Sequence, residues 1–279
     1  MTVRLRITRM VAGLCLAAPL LMLPRLVFGH DTWVQTNIHL IRVGDLVHID
    51  LMLGNHGNAH RDFKLASKVD PVRSTLTVIA PDGKRYDLKD RLTDTGYAPK
   101  EGYWTTSLAV DRSGLYTVAH TFDAVMDYAP ERSIKSAKAF FVASQSLDKP
   151  RTENPGFDRP LGHPLELVPV ANPVTPMGPG TPISVRLLYR GKPLADERIA
   201  FIPRGVSLKA EGPDDRFEKI TDANGIATFE PKEANYYLIV AHREEKNEGG
   251  SLDGKPYRFT RYGATLTVYV PQVCACCGG

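Results

Sequence analysis

The residues of this sequence best suited to chemistry are its scattered histidines and a thiol-rich C-terminal tail. His30 directly follows Val27-Phe28-Gly29, where small or short residues sit at the positions a signal peptidase reads. Cleavage there would give His30 a free α-amine beside its imidazole. Two such nitrogens close a small chelate ring on one metal once both are deprotonated, which an amine pKa of about 7.7–8.0 permits near neutral pH. The alternative is that His30 is simply the residue left by cleavage. His56 and His60 lie in Gly54-Asn55-His56-Gly57-Asn58-Ala59-His60. Their spacing would suit a helix face, but Gly and Asn point to a loop, either folding both imidazoles inward or solvated. Counting by two, His120 falls in line with Tyr116, Val118 and Phe122, and His242 with Tyr236, Leu238 and Val240. Both then face a core near a strand end, as a buried neutral histidine with one hydrogen-bond partner or as a metal ligand. His39, His48 and His163 read as surface or linker residues. The tail carries Cys274, Cys276 and Cys277. These thiols suit a soft ion such as Cu(I) or Zn(II), a Cys274–Cys277 disulfide in an oxidising compartment, or an unstructured end without a role.

Hydrolase signatures are missing: there is no Gly-x-Ser-x-Gly, no His-Glu-x-x-His and no phosphate-cradling glycine loop. The chain reads as a non-enzyme. Residues 1–29 have the three-part build of a secretory signal peptide, with Arg4, Arg6 and Arg9, an apolar run from Val11 to Leu23, and the short residues before His30. That run is too short for a spanning helix, so no integral membrane span is expected after cleavage; an uncleaved membrane anchor is the alternative. The whole chain has 35 Lys+Arg against 31 Asp+Glu. Four of those arginines (Arg4, Arg6, Arg9, Arg25) belong to the leader, which holds no acid, so the mature charge is balanced. No basic footprint for nucleic acid remains.

The elements that must position these residues are strands. Period-two alternation dominates and no long amphipathic helix is present. The expected organisation is all-β, with an N-terminal β-sandwich over 30–145, a Pro-rich linker over 146–164, a C-terminal β-sandwich over 165–271 and the Cys-rich tail over 272–279. Pro81-Asp82-Gly83 predicts a hairpin between Leu76–Ala80 and Arg85–Leu88. Asn224-Gly225 predicts another, joining Lys219–Asp222 to Ile226–Glu230. Arg243–Pro256, charged and with three glycines, reads as a mobile loop. The only cysteine outside the tail is Cys15, in the leader, so the body's stability must come from core burial.

Gly191-Lys192-Pro193-Leu194, Thr221 to Phe229 and Tyr236 to His242 resemble the transthyretin-like or carboxypeptidase-regulatory-like sandwich. A second resemblance spans nearly the whole mature chain. It is carried by His30-Asp31-Thr32-Trp33, Ser136-Ala137-Lys138-Ala139, Leu165-Glu166-Leu167-Val168-Pro169 and Tyr262-Gly263-Ala264-Thr265-Leu266-Thr267-Val268. These segments are similar to a bacterial periplasmic family of unknown function, associated with the periplasmic component of cobalt/nickel transport systems. The resemblance implies immunoglobulin/transthyretin-like sandwiches in the periplasm and a link to transition metals. It favours His56 over His60 and His242 over His120. The family's aromatic-rich end motif is replaced here by Arg261-Tyr262-Gly263.

Together these observations predict a periplasmic protein that binds a divalent transition metal (nickel, cobalt or copper) through His30, His56 and His242. His60, His120 and the three tail cysteines are weaker candidates. It would act as a chaperone or accessory to a membrane metal transporter. Affinity alone favours copper and cannot name the metal. A non-catalytic interaction or scaffold module of the cell envelope is the alternative. A copper oxidase would need an open coordination position and a substrate surface, and the sequence shows neither.

Overall fold

The computed structural model describes residues 30–54, 70–96, 102–150, 152–209 and 212–272. Over them the protein is all-β apart from short 3-10 turns. The first half supplies β1 (Asp31–Thr36), β2 (Leu40–Arg42), β3 (Leu46–Gly54), β4 (Ser74–Ile79) and β5 (Arg85–Asp87). It continues with β6 (Thr93–Asp94), β7 (Trp104–Ala109), β8 (Gly114–Val125) and β9 (Glu131–Ser144). The second half begins with β10 (Leu165–Pro169), β11 (Ile183–Tyr189), β12 (Lys192–Pro193), β13 (Arg198–Pro203) and β14 (Glu218–Ile220). It closes with β15 (Ile226–Phe229), β16 (Asn235–Glu245), β17 (Gly250–Leu252), β18 (Lys255–Tyr257) and β19 (Phe259–Val270).

Strand pairing crosses from one half to the other. A nine-stranded sheet runs β14-β13-β16-β19-β9-β8-β4-β5, with β2 also on β9. Its middle is the parallel pairing of β19 with β9, from Phe259↔Glu131 to Thr267↔Ala139. A four-stranded sheet β1-β3-β7-β6 and a second one, β10-β11-β12 with β15 on β11, complete the layers. Strand β9 is covered on both faces, which explains why Ala137 to Ser144 loses its alternation and is buried throughout. Val34, Leu51, Val118 and Phe141 share one core in the first half. Leu167, Leu187, Phe201 and Ile239 belong to another core, built on the opposite face of β13 and β16 from Leu238 and Val240. Trp33 and Met52 of the first half pack with those last two residues, so β1 and β3 rest against the second half.

Two buried charges lock the junction. Lys138 on β9 and Glu166 on β10 stand 2.8 Å apart, each with 2% of its side chain exposed. Glu166 also accepts backbone N–H bonds from Leu161, Gly162 and His163. Burial alone would push the Glu166 carboxyl up, but Lys138 and those backbone donors outweigh it and hold the group below the usual carboxylate range. The end of the proline-rich stretch is thereby wrapped around one carboxylate. Beside it, Ser136 Oγ donates to the Leu165 carbonyl at 2.8 Å.

Three local expectations meet different outcomes. The Pro81-Asp82-Gly83 hairpin forms, with β4 paired to β5. The Asn224-Gly225 turn also forms, with Asp222 Oδ1 accepting from Asn224 and Ile226 N–H. Its flanking strands part, however: β14 pairs with β13 and β15 with β11, so the turn carries the chain from one sheet to another. Gly225 is required there because its φ is +71° and a Cβ would lie 2.8 Å from the Leu187 carbonyl oxygen. Arg243–Pro256, expected as a loop, instead extends β16 to Glu245 and contributes the β17–β18 hairpin. The charges there are paired within the segment and across to other strands, as in Arg243–Glu245 at 2.6 Å and Arg243–Glu197 at 2.7 Å.

The junction predicts an order of mutational cost. Breaking one side of a buried ion pair typically costs about 3–5 kcal/mol. Glu166→Leu should exceed Lys138→Met, because it strands an ammonium and three backbone N–H groups together. Urea unfolding of both variants checks the order, and a Glu166→Leu loss below that of Lys138→Met contradicts it.

Candidate functional site

Among the described residues β1 pairs with β3 alone, and its other side is met by side chains from elsewhere. The Lys135 ammonium donates to the His30 carbonyl. Thr265 Oγ1 donates to the Thr32 carbonyl at 2.8 Å, and the Tyr236 hydroxyl to the Thr36 carbonyl at 3.1 Å. Arg204 reaches Gln35 Oε1 at 2.6 Å. All but Lys135 come from the second half, so the N-terminal strand is seated by residues far along the chain. Lys135, Thr265 and Tyr236 thereby satisfy backbone carbonyls that an edge strand would otherwise leave open, while Arg204 holds a side chain of the same strand.

At the start of β1, beside Lys135, lies a small cleft of about 30 Å³, lined by Asp31, Glu131, Ser133, Lys135, His242, Arg261 and their neighbours. His242 Nε2–H donates to Asp31 Oδ1 at 2.7 Å. His242 is opposite Gly263 in the β16–β19 ladder, and Lys135 is opposite the same glycine in the β9–β19 ladder. A Cβ on Gly263 would come 3.7 Å from Asp31 Oδ1, 3.8 Å from His242 Cδ2 and 3.9 Å from Lys135 Cγ. The Asp31, His242 and Lys135 side chains thus converge over one bare backbone position. Arg261 bridges Glu131 at 2.9 Å and Glu244 at 2.8 Å. Burial pushes the Lys135 ammonium below its ordinary range, with Asp31 and Glu131 opposing. Burial also raises Glu131, against the pull of Arg261 and Lys135.

The predicted site residues separate clearly. His30, through its backbone, and His242, through its ring, meet at this cleft. His56 and His60 lie outside the described residues. The described chain stops at Gly54, the register partner of Asp31, with His56 two residues further on. Cys274, Cys276 and Cys277 also lie outside the described residues. The tail follows the far end of β19, where Val270 is about 23 Å along the strand from Gly263. Among the described residues no group of three or more His, Cys, Asp or Glu side chains is disposed to hold a metal ion.

His120 is fully buried on β8, as its alternation predicts. Its Nδ1–H donates to the Thr75 carbonyl at 2.8 Å, and its Nε2 has no hydrogen-bond partner among the described residues. Burial pushes its pKa down to about 4. It occupies the core of the first half and does not line the cleft. His163, read as a linker residue, turns its Nδ1 inward without a partner.

Sequence reasoning missed Asp31, Glu131, Ser133, Lys135 and Arg261 as members of the site. One signal was present: Lys135 falls in step with Ala137, Ala139 and Phe141, a cation on an apolar face. Asp31 gave none beyond following a histidine.

The family model described as a domain of unknown function, DUF4198, matches residues 27–245, and the chain belongs to that family. No curated protein matches it. Among solved structures it is similar to Salmonella alpha-2-macroglobulin reacted with methylamine (13% identity, 87% of this chain, 15% of that chain, TM-score 0.26). A DUF4785 family protein from Legionella pneumophila gives 12% identity over 75% of this chain and 52% of that one, with a TM-score of 0.28. The ectodomain of mouse nectin-like molecule 4 gives 10% identity over 88% and 66%, with a TM-score of 0.23. The chain spans 15% of the length of the Salmonella protein.

His120 generates a pH prediction. With a folded pKa of about 4 against 6.5 when exposed, the unfolded chain binds the proton more readily. The stability contributed by the neutral ring is full above about pH 6.5 and is lost as pH falls towards 4, a change of about 3 kcal/mol. His120→Leu should flatten the difference between urea unfolding at pH 7 and pH 4.5. An unchanged pH difference in the variant contradicts this.

Proposed function

We propose that this DUF4198 protein is a non-catalytic binding module of the cell envelope, exported by its leader and built from immunoglobulin- or transthyretin-like sandwiches. Its partner contact would be the cleft at the start of β1. The observation that carries this reading is the cleft's form. Charged side chains from both halves gather around a space of about 30 Å³, with Tyr128, 72% exposed, at its mouth. Small-molecule sites usually enclose about 300–1,000 Å³, whereas this space admits a water, an ion or the tip of one side chain. An exposed aromatic beside fixed charges is a common feature of protein contacts. The layered, mostly antiparallel sheets support the sandwich reading.

A photo-crosslinking residue in place of Tyr128 tests this in intact cells. A discrete adduct, absent when the same group replaces the exposed Ile220 on β14, is expected. Equal or no adduct formation at the two positions overturns the cleft as the contact.

A second reading, transition-metal binding as an accessory to a membrane metal transporter, is favoured by one observation. His30, His242 and the strand end leading towards His56 meet at the same place. In this reading His30 supplies amine and imidazole nitrogens, and Asp31 orients the His242 ring in the way carboxylates orient metal-binding histidines. Nickel, cobalt or copper titration of protein starting at His30, against protein with one residue added before it, separates the readings. At least tenfold weaker binding with the added residue is expected if the amine is a ligand. Equal affinity removes the amine chelate, and absence of tight binding in both leaves the interaction module.

A further inference from the structure

The cleft carries opposite charges on its walls that do not all meet. Lys135, on β9, has one hydrogen-bond acceptor among the described residues, the uncharged carbonyl of His30, and none of their carboxylates lies within 4.0 Å of its nitrogen. An ammonium has three N–H groups, so two remain for the cleft. Asp31 accepts the His242 bond on Oδ1, and Glu131 accepts from Arg261 on Oε2. The second oxygen of each carboxylate takes no hydrogen bond among the described residues, although both residues are buried. Ser133 lies two residues before Lys135 on the same face of β9 and is only 5% exposed. Its hydroxyl also lacks a partner among the described residues. Withdrawn donors and acceptors left open are costly, so this set favours a guest that supplies both.

The lining charges narrow the type of guest. Asp31 and Glu131 oppose Lys135 and Arg261, so the formal charge of the lining cancels. A carboxylate tip would set its lone pairs against Asp31 and Glu131. An ammonium or guanidinium tip would face Lys135 and Arg261. A hydroxyl has a single donor for two carboxylates, whereas a primary carboxamide has two N–H donors and a carbonyl with two lone pairs. Its donors match the two open carboxylate oxygens, and its carbonyl matches Lys135 and Ser133. Glu244, which Arg261 also bridges, stands outside the lining and makes a cationic tip the sterner competitor.

We propose that the cleft receives the primary carboxamide of an Asn or Gln side chain from the partner protein, held by Asp31, Glu131, Ser133 and Lys135. The inference rests on the reading of this cleft as a partner contact and adds what the partner must present. A space of about 30 Å³ suits such a tip. Gly263 keeps the floor open: a Cβ there would stand 3.7 to 3.9 Å from Asp31, His242 and Lys135, ordinary contact that fills the space without forcing the strands apart.

Amide NMR of the isotope-labelled protein tests this near neutral pH. Acetamide, acetate and acetamidinium share one shape and differ in charge. Fragments of this size bind weakly, so each is titrated to high millimolar concentration. Acetamide should give saturable shifts at the Ser133 and Lys135 amides, with acetate and acetamidinium about tenfold weaker. N-methylacetamide, which stands for a backbone or acetylated-sugar amide with one donor fewer, should also bind more weakly. Ser133→Ala should weaken acetamide about threefold, and Gly263→Ala should abolish the shifts while the rest of the spectrum stays folded. Equal or tighter binding of a charged isostere overturns the proposal. So does the lack of saturable shifts with every probe, which leaves the cleft to water. N-methylacetamide binding as well as acetamide overturns the side-chain assignment, and shifts that persist in Gly263→Ala place the site elsewhere. A Tyr128 adduct without acetamide binding sinks this inference and leaves the interaction module standing.

Discussion

Lys138 and Glu166 face each other at 2.8 Å where β9 of the first half meets β10 of the second, both withdrawn from water. Such a pair is tolerable only when nearly every donor and acceptor is satisfied. Here Glu166 takes the lysine and three backbone N–H groups from the last residues before β10. That requirement sets where the chain can re-enter the fold after its proline-rich stretch. Shifting β10 along β9 would separate two buried charges and orphan three N–H groups together. The pair therefore contributes register and placement more surely than it contributes net stability.

With β10 placed, the parallel β9–β19 ladder joins the halves into one sheet, and the edge of β1 is filled by Thr265, Tyr236 and Arg204. The cleft is a product of this assembly. Asp31 comes from β1, Lys135 from β9, His242 from β16 and Gly263 from β19. No single segment carries it, and its small size follows from strands that pack closely on either side of a glycine. The four short segments behind the family resemblance meet across this seam. Ser136 and Lys138 touch Leu165 and Glu166, while Asp31 and Thr32 touch His242 and Thr265.

The strands were legible in the sequence because alternation is a local signal: β4 follows it throughout and β3 from Leu46 to Leu51. His120 could be placed in a core and His242 on the same face as Leu238 by counting alone. Pairing between distant strands has no such signature. Asn224-Gly225 announced a turn but not that its strands would part to different sheets. Arg243–Pro256 looked like a loop because its charges, which pair across strands, leave no apolar pattern. Lys135 and Asp31 became site residues only when β9, β1 and β19 were brought together, a fact of tertiary structure.

The central claim is that the halves form one cooperative unit whose seam builds the cleft. Native-state hydrogen exchange at increasing denaturant tests it most directly, comparing β8–β9 amides with those of β13 and β16. The account predicts that both sets merge into the same global unfolding transition, with equal free energy and equal denaturant dependence. Two separate transitions, with β13 and β16 opening while β8 and β9 stay protected, would contradict it.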